Sequence, residues 1–241
     1  MGIVEALIKK VLEKGTVEQI TKLSDSVFKI RIQSEQIKTA EFVPGYFIRL
    51  GVGIGKEDIT LKDKVRSYSV WDMDVQNGTI DLAIATHSKG IGAQWVESCE
   101  VGTPVHFKWK KGNFLLDSNA DSYLMIGDLS ALSHLYVIAR HLPADKQVEG
   151  LVYSQNSSDF FADVDDTKPF NFQVLERNPQ EAIIDRLKQI IPKMQGKKMV
   201  YIAGDSRLCV SLNQYFKKEL NWDSKQIKNK PFWNPDKKGL E

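Results

Sequence analysis

Residues 66–69 read Arg-Ser-Tyr-Ser, a guanidinium and a phenol two positions apart with hydroxyls between and after them. On a β-strand, Arg66 and Tyr68 project from one face and Ser67 and Ser69 from the other. A guanidinium pairs bidentately with phosphate, and an aromatic ring packs against another π-system. The combination suits a ligand that joins a phosphate to a flat ring, although a solvated strand face would carry the same four residues. Further along, His87 closes a strand-like run, and Gly90 and Gly92 lead into a helix expected from about Ile91 to Ser98. Backbone N–H groups at a helix start, here those of Gly90, Ile91, Gly92 and Ala93, can hold a pyrophosphate. A plain glycine turn before a helix would read the same way.

Two later stretches, Leu-Met-Ile-Gly-Asp and Tyr-Ile-Ala-Gly-Asp, share one order: apolar strand, glycine, aspartate, helix. Gly127, Asp128, Gly204 and Asp205 would stand beyond the carboxyl ends of strands, where an open α/β sheet binds its ligands. An Asp there also serves simply as a helix N-cap, and neither turn is a full Gly-x-Gly-x-x-Gly fingerprint. Near the end of the chain, Lys228, Lys230 and Lys237 surround the pair Phe232-Trp233. A tryptophan docked on a folded surface would bring those lysines with it; a tail packed on the sheet is the plainer alternative.

The elements that must position these residues fall into two rhythms. From about residue 16 to 115, stretches such as Val-Phe-Lys-Ile-Arg-Ile-Gln alternate apolar and polar, with Asn77-Gly78 as the best hairpin turn, which predicts a small antiparallel β-barrel. Lys64 to Asp74 reads as a single strand. After about residue 120, apolar strands alternate with helices, which predicts a parallel sheet covered on both faces. The first fifteen residues, with Ile3, Leu7 and Val11 at helical spacing, predict an amphipathic helix.

Composition excludes several classes. Hydrophobic residues make up 42% and charged residues 27% of 241, with a formal net charge of +2, so no concentrated basic face marks a nucleic-acid binder. The two cysteines, Cys99 and Cys209, lie far apart and give no metal-ligand spacing; a reducing compartment is the plain reading. No stretch approaches the length of a membrane span, and Ala6 stands where a myristoylation signal wants Ser or Thr. A cytoplasmic protein is expected.

In order and spacing these stretches resemble the siderophore-interacting proteins, flavin-dependent ferric-siderophore reductases of the ferredoxin-reductase superfamily, from about Thr16 to Leu240. Phe-Val-Pro-Gly-Tyr-Phe-Ile-Arg-Leu, ending near Arg49, is similar to that family's Pro-Gly strand. Arg66 to Ser69 is similar to its Arg-x-Tyr-Ser/Thr signature, and His87 to Trp95 to its His…Gly-Pro-Ala-Ser-Arg-Trp segment. The chain departs at Ala93-Gln94, where the family has Ser-Arg, at Leu129, where it has Glu, and at Asp205, also Glu in the family.

The resemblance implies an FAD-binding Greek-key barrel over residues 1–117, including the N-terminal helix, and a small NAD(P)H-binding α/β domain over 118–241 with a siderophore-proximal tail. It implies that Arg66 meets the flavin phosphates, Tyr68 packs on the isoalloxazine, and Ser69 hydrogen-bonds near its reactive edge, with His87 close by. Gly90, Ile91, Gly92 and Ala93 would hold the pyrophosphate, and Gly127, Asp128, Gly204 and Asp205 the nicotinamide cofactor, NADH or NADPH. Arg49, Lys228, Lys230 and Lys237 would attract an anionic ferric siderophore. No resident metal, nucleic acid or membrane span is implied, and a monomer is expected. A general flavin reductase or ferredoxin-reductase-like carrier, with ferredoxin as the other donor, stays open, as does a non-catalytic binder of flavin or a ferric chelate.

Overall fold

Contacts divide the chain between Leu115 and Leu116 into two units, each with its own core. The computed structural model describes residues 12–54, 60, 64–87, 90–176 and 179–236. The N-terminal helix expected over the first fifteen residues lies mostly outside this set. Its last part is corrected: Glu13, Lys14 and Gly15 open a β-strand, because Glu13 to Thr16 pair with Pro104 to Phe107 and tertiary pairing overrides a local helical period.

The first unit is antiparallel. Its strands are β1 (Glu13–Ser24), β2 (Val27–Gln33), β3 (Phe47–Gly51), β4 (Val65–Ser69), β5 (Asp72–Asp74), β6 (Thr79–Ala85) and β7 (Pro104–Lys110). They line up in the order β4-β3-β7-β1-β2-β6-β5, and β4 also approaches β6, giving the sheet a barrel-like curl. Alternation sends Ile30, Ile32, Ile48, Leu50, Leu82 and Phe107 inward, each without exposed surface. Outward, Arg31 donates twice at 2.7 Å to the buried carboxylate of Asp81 on the facing strand. The expected hairpin turn at Asn77-Gly78 joins β5 to β6; Gly78 has φ +68°, and Asn77 is pinned to Asp74.

The stretch from Lys64 to Asp74, expected as a single strand, breaks at Val70-Trp71. The Val70 N–H donates to the Tyr46 carbonyl beside β3, while the Trp71 N–H donates to the Asp81 carbonyl of β6. The chain therefore leaves one ladder and joins another within two residues, both almost fully buried. Helix α1 (Ile91–Glu97) follows β6 and packs Val96, Ile91 and Trp95 on the barrel core.

The second unit is a parallel sheet of β8 (Ser122–Asp128), β9 (Gln147–Ser154), β10 (Asn171–Val174), β11 (Lys198–Asp205) and β12 (Ile227–Trp233), in the order β10-β9-β8-β11-β12. Every residue of β8 is buried, as expected of a strand covered on both faces. Helices α3 (Gln180–Ile190) and α4 (Ser206–Gln214) cover one face through Ile183, Leu187, Leu208 and Leu212. Helix α2 (Leu129–Arg140) covers the other, with Ala131 and Leu135 over Gly127. The tail around Phe232-Trp233 is also corrected: it is the fifth strand, β12, paired in parallel with β11. Pro231 is tolerated because β12 is an edge strand.

Candidate functional site

Register on β4 settles which way its side chains point. Tyr68 pairs with Ile48 and Arg66 with Leu50 across the β3–β4 ladder, and directly opposed residues share a face. Ile48 and Leu50 are fully buried, so Arg66 and Tyr68 lie on the barrel's inner face. Ser67 pairs with Arg49, and Arg49 with Lys108 on β7. Arg49, Ser67 and Ser69 therefore occupy the opposite face from Tyr68.

The inner face of β4 meets the start of α1. A Cβ on Gly92 would collide with the Tyr68 hydroxyl and would also approach Arg66 Cγ. Only glycine allows this approach of helix backbone to phenol. Arg66, Tyr68 and Gly92 are thus brought together from two separate stretches. The first intrahelical bond runs from the Gln94 N–H to the Gly90 carbonyl at 3.0 Å, so the N–H groups of Ile91, Gly92 and Ala93 precede any intrahelical partner. Gly92 and Ala93 are buried and Ile91 is half-buried. His87 is exposed after β6, and residues 88 and 89 lie outside the described set. These features fit a flavin nucleotide: a guanidinium and a phenol on one strand face, and a glycine cradle at a helix start.

In the second unit the strand order reverses at β8, since the chain runs outward to β9 and β10 and then returns to place β11 on the other side of β8. Such a switch point is where open α/β sheets bind ligands. Here the carboxylate of Asp128 fills it. One oxygen accepts from the Ser130 N–H at 2.9 Å and the Ser130 hydroxyl at 2.5 Å. The other accepts from the Asp205 N–H at 2.8 Å and from Trp233 Nε1 at 2.8 Å. Gly204 has φ +119°, and a side chain there would strike the Asp128 carboxylate. Asp205 caps α4 through the Arg207 N–H and holds the Arg207 guanidinium at 2.7 Å. Tyr153 stands opposite Asp128 in register; burial, and then the charges of Asp128 and Asp205, push its phenol well above the usual range.

Lys228 is ion-paired with Asp117 at 3.2 Å, Lys230 is half-buried on β12, and Lys237 lies outside the described residues. Among the described residues no group of three or more His, Cys, Asp or Glu side chains is arranged to hold a metal. No helix among them is long and apolar enough to cross a membrane.

Residues 14–115 match the family described as oxidoreductase FAD-binding domain, and residues 120–236 the family described as siderophore-interacting protein. The chain carries an FAD-binding oxidoreductase domain followed by a siderophore-interacting protein domain. Ferric vibriobactin reductase ViuB of Vibrio cholerae is 22% identical over 178 residues, covering 71% of this chain and 65% of that protein. The chain thus aligns with just under two thirds of that relative's length. NADH-cytochrome b5 reductase 1 of Scheffersomyces stipitis is 32% identical over 114 residues, or 46% of this chain and 38% of the relative. Among solved structures, the siderophore-interacting protein SipS from Aeromonas hydrophila superposes with a TM-score of 0.79 at 17% identity, covering 94% of this chain and 93% of that one. Phthalate dioxygenase reductase gives 0.69 at 15% identity over 93% of this chain and 68% of that one. These likenesses establish the two-domain fold.

Within the second unit, three contacts had no sequence signal specific enough to find them. The Trp233–Asp128 bond spans 105 positions, Lys228 on β12 pairs with Asp117 in the stretch before β8, and the Arg207–Asp205 pair accompanies a helix cap. The one available hint was the tryptophan itself, which a solvated tail would not hold.

Proposed function

We propose that the protein is a flavin-dependent reductase that passes electrons from NADH or NADPH by way of FAD to a ferric siderophore, so that Fe(II) is released. The observation that carries this reading is the meeting of Arg66, Tyr68 and the Gly92 backbone in the FAD-binding domain. When bound, FAD would accept a hydride's two electrons and release them singly to iron. Arg66 would pair with the flavin phosphates, and the N–H groups of Ile91, Gly92 and Ala93, with the extended Gly90 before them, would hold the pyrophosphate. Tyr68 would pack on the ring system, and Ser69, on the other face but the last residue of β4, would offer its hydroxyl to the ring's polar edge around the strand end. His87 would sit near the same ligand. The turns at Gly127-Asp128 and Gly204-Asp205 would face the donor.

The substrate end of the reading follows from hardness. Fe(III) is held tightly by the anionic oxygens of a siderophore and Fe(II) more weakly, so reduction loosens the metal. Arg49, Lys228, Lys230 and Lys237 are the cations proposed to attract the anionic complex, and Lys228 is also ion-paired with Asp117.

An absorption spectrum tests the reading directly. Protein loaded with FAD is treated anaerobically with NADH or NADPH and then with a ferric siderophore. Flavin bands that bleach with the donor and return with the ferric complex support it. Bands that return with free flavin or ferredoxin but not with the ferric complex would replace it by a general reductase, and failure to take up FAD at all would remove it.

A further inference from the structure

The Asp128 carboxylate sits in a setting that would otherwise suit a ligand anion. Its two oxygens take four donors: the first-turn N–H of α2 and the hydroxyl, both from Ser130; the N–H of Asp205 at the end of β11; and the Trp233 indole from β12. An ionised carboxylate has about four acceptor positions, so all are used. Backbone N–H groups at helix starts beyond strand ends are the groups that hold phosphates in open α/β sheets. In this chain two of them are already turned onto a side chain of the protein itself. The backbone is shaped around that side chain: Gly204 adopts φ +119°, and any Cβ there would collide with the carboxylate.

Charge points the same way. Asp128 and Asp205 are both buried, and the one cation bonded to either of them among the described residues is Arg207, whose side chain is 41% exposed. Two carboxylates against one guanidinium leave the crevice negative. A pyrophosphate entering between β8 and β11 would meet like charge and would find its donors engaged.

We propose that Asp128 is a specificity-determining residue, a built-in anion that keeps a dinucleotide's pyrophosphate out of the crevice between β8 and β11. The inference deepens the donor half of the proposed function and rests on it only there. A nicotinamide donor must then bind this unit with its pyrophosphate outside the switch point.

The test is a binding titration on the FAD-loaded full chain, with ADP-ribose as the probe because it carries the pyrophosphate without the nicotinamide. In Asp128→Ser the serine can still cap α2, while the Asp205 N–H and the Trp233 indole become open to an anion. Asp128→Asn removes the charge at constant size and serves if the serine variant does not fold, which flavin content and a melting curve report. At least about tenfold tighter ADP-ribose binding than wild type is expected in either variant, equivalent to the loss of one modest repulsion. Trp233→Phe keeps the charge and removes only the indole donor, so its affinity should stay close to that of wild type. Unchanged ADP-ribose affinity in both Asp128 variants overturns the inference, as does an equal gain in Trp233→Phe, which would make the obstacle the strand and not the charge. If NADH and NADPH fail to bleach the flavin in every variant while the ADP-ribose contrast holds, the donor reading falls and this inference stands.

Discussion

A single hydrogen at Gly92 decides whether Tyr68 and the start of α1 can share the space they occupy. Replacing Gly92 with Ala forces a methyl against the phenol oxygen, and such overpacking costs about 1–3 kcal/mol. Lower thermal stability and reduced FAD content are expected of G92A. The clash is with the hydroxyl, so Y68F in the same chain should recover part of the stability; a double-mutant cycle with no coupling would mean that the two residues do not touch. Arg66 yields a second expectation on the same strand. Its loss removes charge-assisted bonds worth about 1.5–3 kcal/mol, so R66A should raise the FAD dissociation constant by roughly one to two orders of magnitude. Ser67, exposed on the opposite face, is the control: S67A should titrate with FAD like wild type, and a comparable loss there would show that β4 is turned the other way.

At the level of elements, what was legible in the sequence was whatever follows from period. β2 and β9 fall on the residues where alternation and apolar runs place them, and α1 begins at Ile91 as expected. The facing of Arg66 and Tyr68 follows from the period of two alone. The break at Val70-Trp71 was not legible, because both residues are apolar and the switch between ladders is made by backbone bonds to Tyr46 and Asp81. β12 was hidden for a related reason. Its lysines and Pro231 argue locally against a strand, and its pairing partners on β11 are distant in sequence. That Arg49 and Tyr68 lie on opposite faces was likewise not legible, because it follows from the β3–β4 register. The bond that ties β12 to the switch point has a measurable worth. A hydrogen bond to a charged acceptor contributes about 1.5–3 kcal/mol, so W233F should lower the free energy of unfolding by that amount in urea titrations. A loss of a few tenths would show that the indole–carboxylate bond is not held in solution.

For the whole molecule, the existence of two cores with separate contacts has a thermodynamic consequence. A ligand held by one unit stabilises that unit by mass action, by about 2.7 kcal/mol at a hundredfold excess over its dissociation constant. FAD should therefore raise the melting transition of the first unit and leave that of the second in place. Alkali supplies the opposite handle. The phenols of Tyr136, Tyr153 and Tyr201 all belong to the second unit, and burial pushes each of them up, with nearby carboxylates such as Asp163 adding to the effect at Tyr136. A group whose folded pKa is raised holds its proton longer in the native state than in the unfolded one. Its stabilising effect is complete below the unfolded value of about 10 and is lost as the pH rises beyond it. Taking the full chain from pH 8 to pH 11 should lower the second transition more than the first. Calorimetry with and without FAD at the two pH values separates the cases, because two independently folding units give two transitions that move under different handles. One transition that answers to both FAD and alkali would mean that the flavin-binding and siderophore-interacting domains unfold as a single body, and the stability of each would then have to be read from the other's contacts as well as its own.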